Sequence, residues 1–237
     1  MPRALRLMTK AGNDNTSPES SRDYASPPCL MHLVDPVSGA LTAEADAQQR
    51  IDVERWRRAE RERLIAARLA IPGDERRACS QRIAGRLDTA LGDISGRIVS
   101  AYWPIRGEPD LRLWLEGLAE QGGVGALPVV VRRHAPLAFR RWRRGEALEP
   151  GVWNIPIPSH GPIVTPDIVI APVVGFDRAC YRLGYGGGFF DRTLAAFSRR
   201  PRIIGVGYAP QEIGTIYPQA HDVPMDMIVT EAGIVAR

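Results

Sequence analysis

From residue 98 onward the chain repeats one texture: a short run rich in β-branched residues, a turn, a helix-forming stretch, then another run. The runs are Ile98 to Trp103, Leu127 to Val131, Ile168 to Val174, Ile203 to Tyr208 and Met227 to Thr230. Leu111, Leu115 and Leu118 mark one intervening helix, and Phe190 to Phe197 marks another. Tight hairpins join antiparallel strands, whereas parallel strands need a crossover, so this alternation argues for a mostly parallel sheet. The run IVIAPVV carries no polar alternation, which suits a central strand covered on both faces. The expected fold class is therefore α/β, a three-layer α/β/α arrangement with functional residues at the carboxyl ends of the strands.

Two helices are expected ahead of the sheet. The first starts at Thr42 as N-cap and runs to about Ala70, with an uneven apolar stripe of Ile51, Val53, Trp56, Leu64, Ile65 and Leu69 and with arginines crowding the polar side. Pro72 suits the first position of a second helix reaching Leu91, with Ile83 and Leu87 as its core residues. Residues 1 to 40 differ in composition, being rich in Ser and Pro, and are expected to form a low-complexity extension to a single domain spanning 41 to 237. Within the extension, Leu30, Met31, Leu33 and Val34 could form a strap, while Cys29, His32 and Asp35 are too few for a metal site. Cys29, Cys79 and Cys180 are odd in number and widely spaced, giving neither a disulfide framework nor a zinc pattern. No apolar run reaches the roughly 20 residues of a membrane helix and the N-terminus lacks a secretory h-region, so a cytoplasmic protein with no membrane partner is expected.

Charge narrows the function classes. Of 31 basic residues only Lys10 is lysine, leaving 30 arginines. Guanidinium forks suit phosphate and carboxylate, so anionic partners are favoured. The most basic stretch, Arg132 to Arg144, interleaves Leu137, Phe139 and Trp142 with arginine as a solvated hairpin with one buried face would. A single-strand nucleic-acid binder needs a wider aromatic array, and only 7% of this chain is aromatic, so no nucleic-acid partner is expected.

The segment Val173 to Arg192, VVGFDRACYRLGYGGGFFDR, carries the chemistry. It follows an apolar strand, places Gly184, Gly186, Gly187 and Gly188 within five positions and leads into a helix. Glycines permit positive φ and close backbone approach, and a helix start offers unpaired N–H groups to an anion, which together make a phosphate site. The spacing matches neither the Walker pattern nor the dinucleotide fingerprint. Arg182 and Arg192 flank the turn and suit phosphate oxygens; Asp191 suits a bridging magnesium ion. A flexible turn beside a surface salt bridge is the alternative reading of the same residues.

The run RLGYGGGFFDR resembles the signature of the 5-formyltetrahydrofolate cyclo-ligase family, also called methenyltetrahydrofolate synthetases. Four further segments are similar in the same order: the helix bearing Arg57, Arg61 and Arg68, then YWPIRGEPD, LEPGVWNIPIP, and GVGYAPQ with YPQAHDVPMDMIVTE. The resemblance implies a Rossmann-like fold akin to the NagB/RpiA/CoA-transferase group. It also implies an enzyme that uses ATP and Mg2+ to convert 5-formyltetrahydrofolate to 5,10-methenyltetrahydrofolate; a monomer is expected, since nothing in the sequence demands more. Carried over by position, it assigns Arg57, Arg61 and Arg182 to the triphosphate and Leu183, Gly184, Tyr185, Gly186, Gly187, Gly188, Phe189, Phe190 and Asp191 to the nucleotide cradle. Arg182, Tyr185 and Gly187 stand nearest the reacting groups. Asp191 and Asp222 are the implied magnesium ligands, with Asp226 as runner-up. Glu108 is implied to bind the pterin, and Trp103 and Trp153 to flank it. The chain departs from the pattern at Phe189 and Phe190, usually tyrosines, so any hydroxyl role there falls to Tyr185 or Tyr181. The competing readings are a fold relative using ATP on another formamide or amide, and a non-catalytic nucleotide- or RNA-binding protein.

Overall fold

The computed structural model describes residues 43–237, with side chains from residue 47. The expected N-cap Thr42 and the 1–40 extension, with its strap and Cys29, His32 and Asp35, lie outside the described residues. Helices α1 (Ala43–Ala70) and α2 (Gly73–Leu91) come first, and Pro72 sits at the N-cap of α2, one position ahead of the expected place. Asp74 and Glu75 then occupy the first turn of α2, where the helix dipole favours negative charge.

The strands are β1 (Ile98–Ser100), β2 (Val124–Val129), β3 (Ala138–Arg141), β4 (Leu148–Pro150), β5 (Pro156–Pro158), β6 (Ile163–Val164), β7 (Ile168–Pro172), β8 (Gly175–Phe176), β9 (Arg182–Leu183), β10 (Arg202–Val206), β11 (Met227–Val229) and β12 (Ile234–Ala236). Two more helices, α3 (Arg112–Gly117) and α4 (Phe189–Ala196), fall between strands. Eight strands form one sheet in the order β12-β11-β10-β7-β1-β2-β3-β6. Its five central strands run parallel, and antiparallel strands close both edges. The basic stretch forms the β2–β3 connection and β3 itself, and both Phe139 and Trp142 are buried, as a one-sided hairpin requires.

Alternation along the central strands builds two separate cores. Ile168 and Ile170 of β7, Ile204 and Val206 of β10 and Val229 of β11 pack with Ile83 and Leu87 of α2 and Leu115 of α3. Their neighbours Val169, Ala171, Ile203 and Ile228 face the other way, against Leu194 of α4. Successive side chains on a strand point to opposite faces, so helices on both sides are needed to cover the sheet. The result is the expected three-layer α/β/α arrangement. A third, smaller cluster joins Leu64 of α1 to Val174, Leu183 and Ile216, which docks α1 near the carboxyl end of β7.

The face that α1 buries differs from the expectation. Val53, Arg57, Leu64 and Arg68 are its buried positions and Arg61 is half-buried, whereas Ile51 and Leu69 are exposed. Steps of four, four, three and four residues follow the helical period, so three arginines share the inward face with two aliphatic residues. Among the described residues, no helix is long and apolar enough to cross a membrane. Cys79 and Cys180 are buried free thiols.

Candidate active site

The carboxyl ends of β1, β2 and β7 open onto a cavity of about 760 Å³. Trp103, Arg106 and Glu108 reach it from the segment after β1, and Trp153 from the turn between β4 and β5. Arg57 and Arg61 of α1 form one side, and Asp222 comes from the segment before β11. The whole run Arg182, Leu183, Gly184, Tyr185, Gly186, Gly187, Gly188, Phe189, Phe190 and Asp191 forms a continuous wall. The residues that the resemblance assigned to triphosphate, nucleotide, magnesium and pterin therefore line one cavity, Asp226 apart, although they come from five separate stretches of chain.

One end of the cavity is dominated by guanidinium groups. Arg57 donates through Nη2 to Asp222 Oδ2 at 2.5 Å and to the Tyr217 carbonyl at 2.9 Å, and through Nε to the Ile216 carbonyl at 2.9 Å. Arg61 donates through Nε to the Gly184 carbonyl at 2.7 Å. Burial and the neighbouring Arg57 both lower the Arg61 pKa. Arg182 pairs with Asp191 at 2.9 Å and lies 5.5 Å above the Phe190 ring, with both partners largely buried. Burial is the main cause that lowers its pKa, opposed by Asp191. A guanidinium stays charged under such pressure, so this end is a cationic wall facing the cavity.

The glycine turn fits against these groups. Gly186 has φ of +92° and Gly188 has φ of +62°, backbone states that a Cβ strains. A Cβ on Gly186 would also come within 3.4 Å of the Arg61 guanidinium. Gly188 precedes α4, whose first-turn amides lack intrahelical acceptors, as at any helix start. Arg192 does not line the cavity; it braces the turn from behind by donating to the Gly187 carbonyl, with its guanidinium 5.4 Å above the Phe189 ring. The two phenyl rings that replace the usual tyrosines thus serve as platforms for arginines.

Both expected metal ligands line the cavity, and each is engaged by an arginine. Asp191 also accepts the Val223 N–H at 3.1 Å, and Asp222 accepts the Gln219 N–H at 2.6 Å. No cluster of three or more His, Cys, Asp or Glu suited to a metal ion occurs among the described residues. The runner-up Asp226 lies elsewhere: it pairs with Arg200 at 3.0 Å and accepts the Ile203 N–H at 2.7 Å, at the amino ends of β10 and β11. It caps strands rather than facing the cavity.

A buried carboxylate, Glu108, also lines the cavity and meets the glycine turn through Tyr185. Glu108 accepts the Ile105 N–H at 2.9 Å on Oε2 and the Tyr185 hydroxyl at 2.8 Å on Oε1. Burial raises its pKa to about 6, against the opposing pull of the Ile105 amide, Arg68, Tyr185 and Arg106. Trp103 stands edge-on to Trp142, with centroids 6.1 Å apart, while Trp153 is 63% exposed at the rim and meets Phe189 edge-on at 5.7 Å. Of the two tyrosines expected to supply a hydroxyl, Tyr185 lines the cavity and Tyr181 does not.

Arg106 and His221 line the cavity without having been expected from the sequence. Arg106 has φ of +47° and lies 5.6 Å from the Tyr185 ring centroid. The RGE run after β1 was the available signal, since glycine marks a loop and loops after the carboxyl ends of parallel strands border the site. The apolar walls from Leu137, Ile155 and Ile157 carried none, because aliphatic residues read as core.

Fold and cavity together define a Rossmann-like α/β protein with a guanidinium-ringed glycine turn at the carboxyl end of its sheet. The chain belongs to the 5-formyltetrahydrofolate cyclo-ligase family, whose model matches residues 53–231. It is 33% identical over 182 residues to the 5-formyltetrahydrofolate cyclo-ligase of Mycolicibacterium smegmatis, covering 73% of this chain and 93% of that one. The Escherichia coli K12 enzyme of the same name is 26% identical over 174 residues, covering 70% and 96%. The solution structure of Aquifex aeolicus 5,10-methenyltetrahydrofolate synthetase superposes with a TM-score of 0.66 at 29% identity, covering 76% of this chain and 92% of that one. The Mycoplasma pneumoniae synthetase shares the fold, with a TM-score of 0.62 at 23% identity over 74% and 98% of the two chains.

Proposed function

We propose that this protein converts 5-formyltetrahydrofolate to 5,10-methenyltetrahydrofolate at the expense of ATP, releasing ADP and phosphate. The observation that carries the reading is one cavity that combines a glycine turn, guanidinium groups and a buried carboxylate, in a chain of this family. An N5-formyl group is a formamide, whose carbon resists attack and whose oxygen is a poor leaving group. Transfer of the γ-phosphoryl group to that oxygen makes the carbon iminium-like. N10 then forms the new C–N bond, and phosphate departs with the oxygen and takes up the N10 proton. Such a reaction asks a protein for alignment and charge neutralisation rather than for a strong base.

Arg57, Arg61 and Arg182 hold the triphosphate in this reading, with the turn from Gly184 to Gly188 approaching it by backbone alone. Arg57 and Arg182 already sit in carboxylate pairs, so phosphate replaces one anionic partner by another. Glu108 accepts the N3–H and 2-amino donors of the pterin, and Trp103 and Trp153 flank its ring. Tyr185 and Gly187 lie in the turn where the phosphate and formyl groups meet. Asp191 and Asp222 offer the hard oxygen donors that suit magnesium, and would hold it once their arginines turn to phosphate. A magnesium ion held there would offset negative charge on the phosphate oxygens.

The test mixes purified protein with 5-formyltetrahydrofolate and Mg-ATP and follows the methenyl absorbance. Growth that requires ATP supports the reading. ATP turnover without the chromophore points instead to another formamide or amide substrate, and nucleotide binding without turnover to a non-catalytic role.

A further inference from the structure

Arg68 is 1% exposed and does not reach the cavity, yet its guanidinium is shared among three parts of the site. Nε donates to the Arg106 carbonyl at 2.9 Å, Nη1 to the Val173 carbonyl at 3.3 Å, and Nη2 to the Tyr185 hydroxyl at 2.5 Å. A guanidinium has donors only, so the Tyr185 oxygen must accept from it. The hydroxyl's one proton is then committed to Glu108 Oε1 at 2.8 Å. With Oε2 taken by the Ile105 N–H, both oxygens of Glu108 are held as acceptors.

We propose that Arg68 is a positioning residue for the folate side of the cavity: it fixes the polarity of the Tyr185 hydroxyl, and through it the orientation and charge of Glu108. Resting as it does on the folate reading for its consequence, the proposal makes the glycine turn part of the pterin subsite, because Tyr185 lies between Gly184 and Gly186. Other charged or titratable groups facing Glu108 are Arg106, whose guanidinium lies on the Tyr185 ring, and Tyr102, whose hydroxyl donates instead to the Pro109 carbonyl at 2.8 Å. Neither hydrogen-bonds Glu108, so Arg68 and Tyr185 form the direct route.

The experiment uses the full chain as Arg68→Met, Tyr185→Phe and the double variant, each first checked by circular dichroism. The first readout needs no ligand: carbon-13 NMR titration of the Glu108 carboxyl, assigned with Glu108→Gln. Its midpoint should rise above the wild-type value in either single variant, because Tyr185→Phe removes a hydrogen bond to the charged form and Arg68→Met removes a nearby positive charge and the group that orients the Tyr185 hydroxyl. The second is the dissociation constant of 5-formyltetrahydrofolate, expected to rise about tenfold in either single variant, the size of one hydrogen bond to a charged group. The double variant should weaken binding by less than the product of the two single effects. An unmoved Glu108 titration and unchanged folate affinity in Tyr185→Phe overturn the proposal even if Arg68→Met fails to fold; strictly multiplicative effects overturn it too. A shifted titration in a protein that binds no folate supports the positioning role and sinks the folate reading instead.

Discussion

The cavity handles its two sets of acidic groups in opposite ways. Arg57–Asp222 and Arg182–Asp191 are ion pairs whose members are largely buried. Glu108, by contrast, has no cation on its oxygens and is held by one hydroxyl and one amide. Removing either member of a buried ion pair leaves an uncompensated charge, whereas a carboxylate held by hydrogen bonds can take up a proton in place. The ion pairs are thus a fixed electrostatic frame, and Glu108 is the titratable part of the site.

The largest effect should fall on the frame. Arg182→Ala is expected to lower kcat/KM for ATP by about two orders of magnitude, since backbone amides alone do not offset a triphosphate. Steady-state kinetics showing wild-type use of ATP would remove Arg182 from the phosphate. Next, Gly186→Ala puts a Cβ on a residue at φ +92° beside Arg61, and should raise the ATP KM by roughly tenfold through turn strain of about 1–3 kcal/mol. An ATP KM unmoved by this change would separate the turn from the nucleotide.

The contrast is sharpest at Glu108. Glu108→Gln should raise the folate KM by about tenfold and leave that of ATP nearly unchanged, because one acceptor becomes an amide donor. In the wild-type protein the folate KM should climb as pH falls through about 6, where the carboxyl protonates, and the variant should lose that dependence. Stability moves in the other direction. A carboxyl raised from 4.5 holds its proton more tightly in the native chain, so this group's contribution is present below about 4.5 and is lost as pH rises through about 6. A folate KM flat between pH 5 and 7 would place the pterin elsewhere. The smallest effect belongs to Trp153 at the exposed rim: Trp153→Ala should raise the folate KM a few-fold, in line with a single aromatic contact, with little change in Tm. A drop in Tm with no change in KM would make it a packing residue.

Much of this molecule was legible from residue types alone. Alternating apolar runs and helical stretches foretold the parallel sheet and its covering layers, because strand and helix periodicities are local properties of sequence. The glycine turn and its flanking charges were visible for the same reason: the tolerance for positive φ at Gly186 and Gly188 resides in the residue itself. The face of α1 was misjudged. Arginines at 57, 61 and 68 repeat with the helical period, yet hydropathy assigns them to solvent.

What turned them inward is tertiary. Arg57 meets carbonyls at Ile216 and Tyr217, Arg61 meets Gly184, and Arg68 meets Arg106, Val173 and Tyr185, partners that lie 38 to 160 positions away in sequence. A guanidinium leaves water only where such acceptors converge, and their convergence is a property of how the strand ends are brought together. Composition and period determined the layers and the anion-friendly turn; only the folded chain decided which arginines face the cavity and that Glu108 would be dry enough to titrate near neutrality.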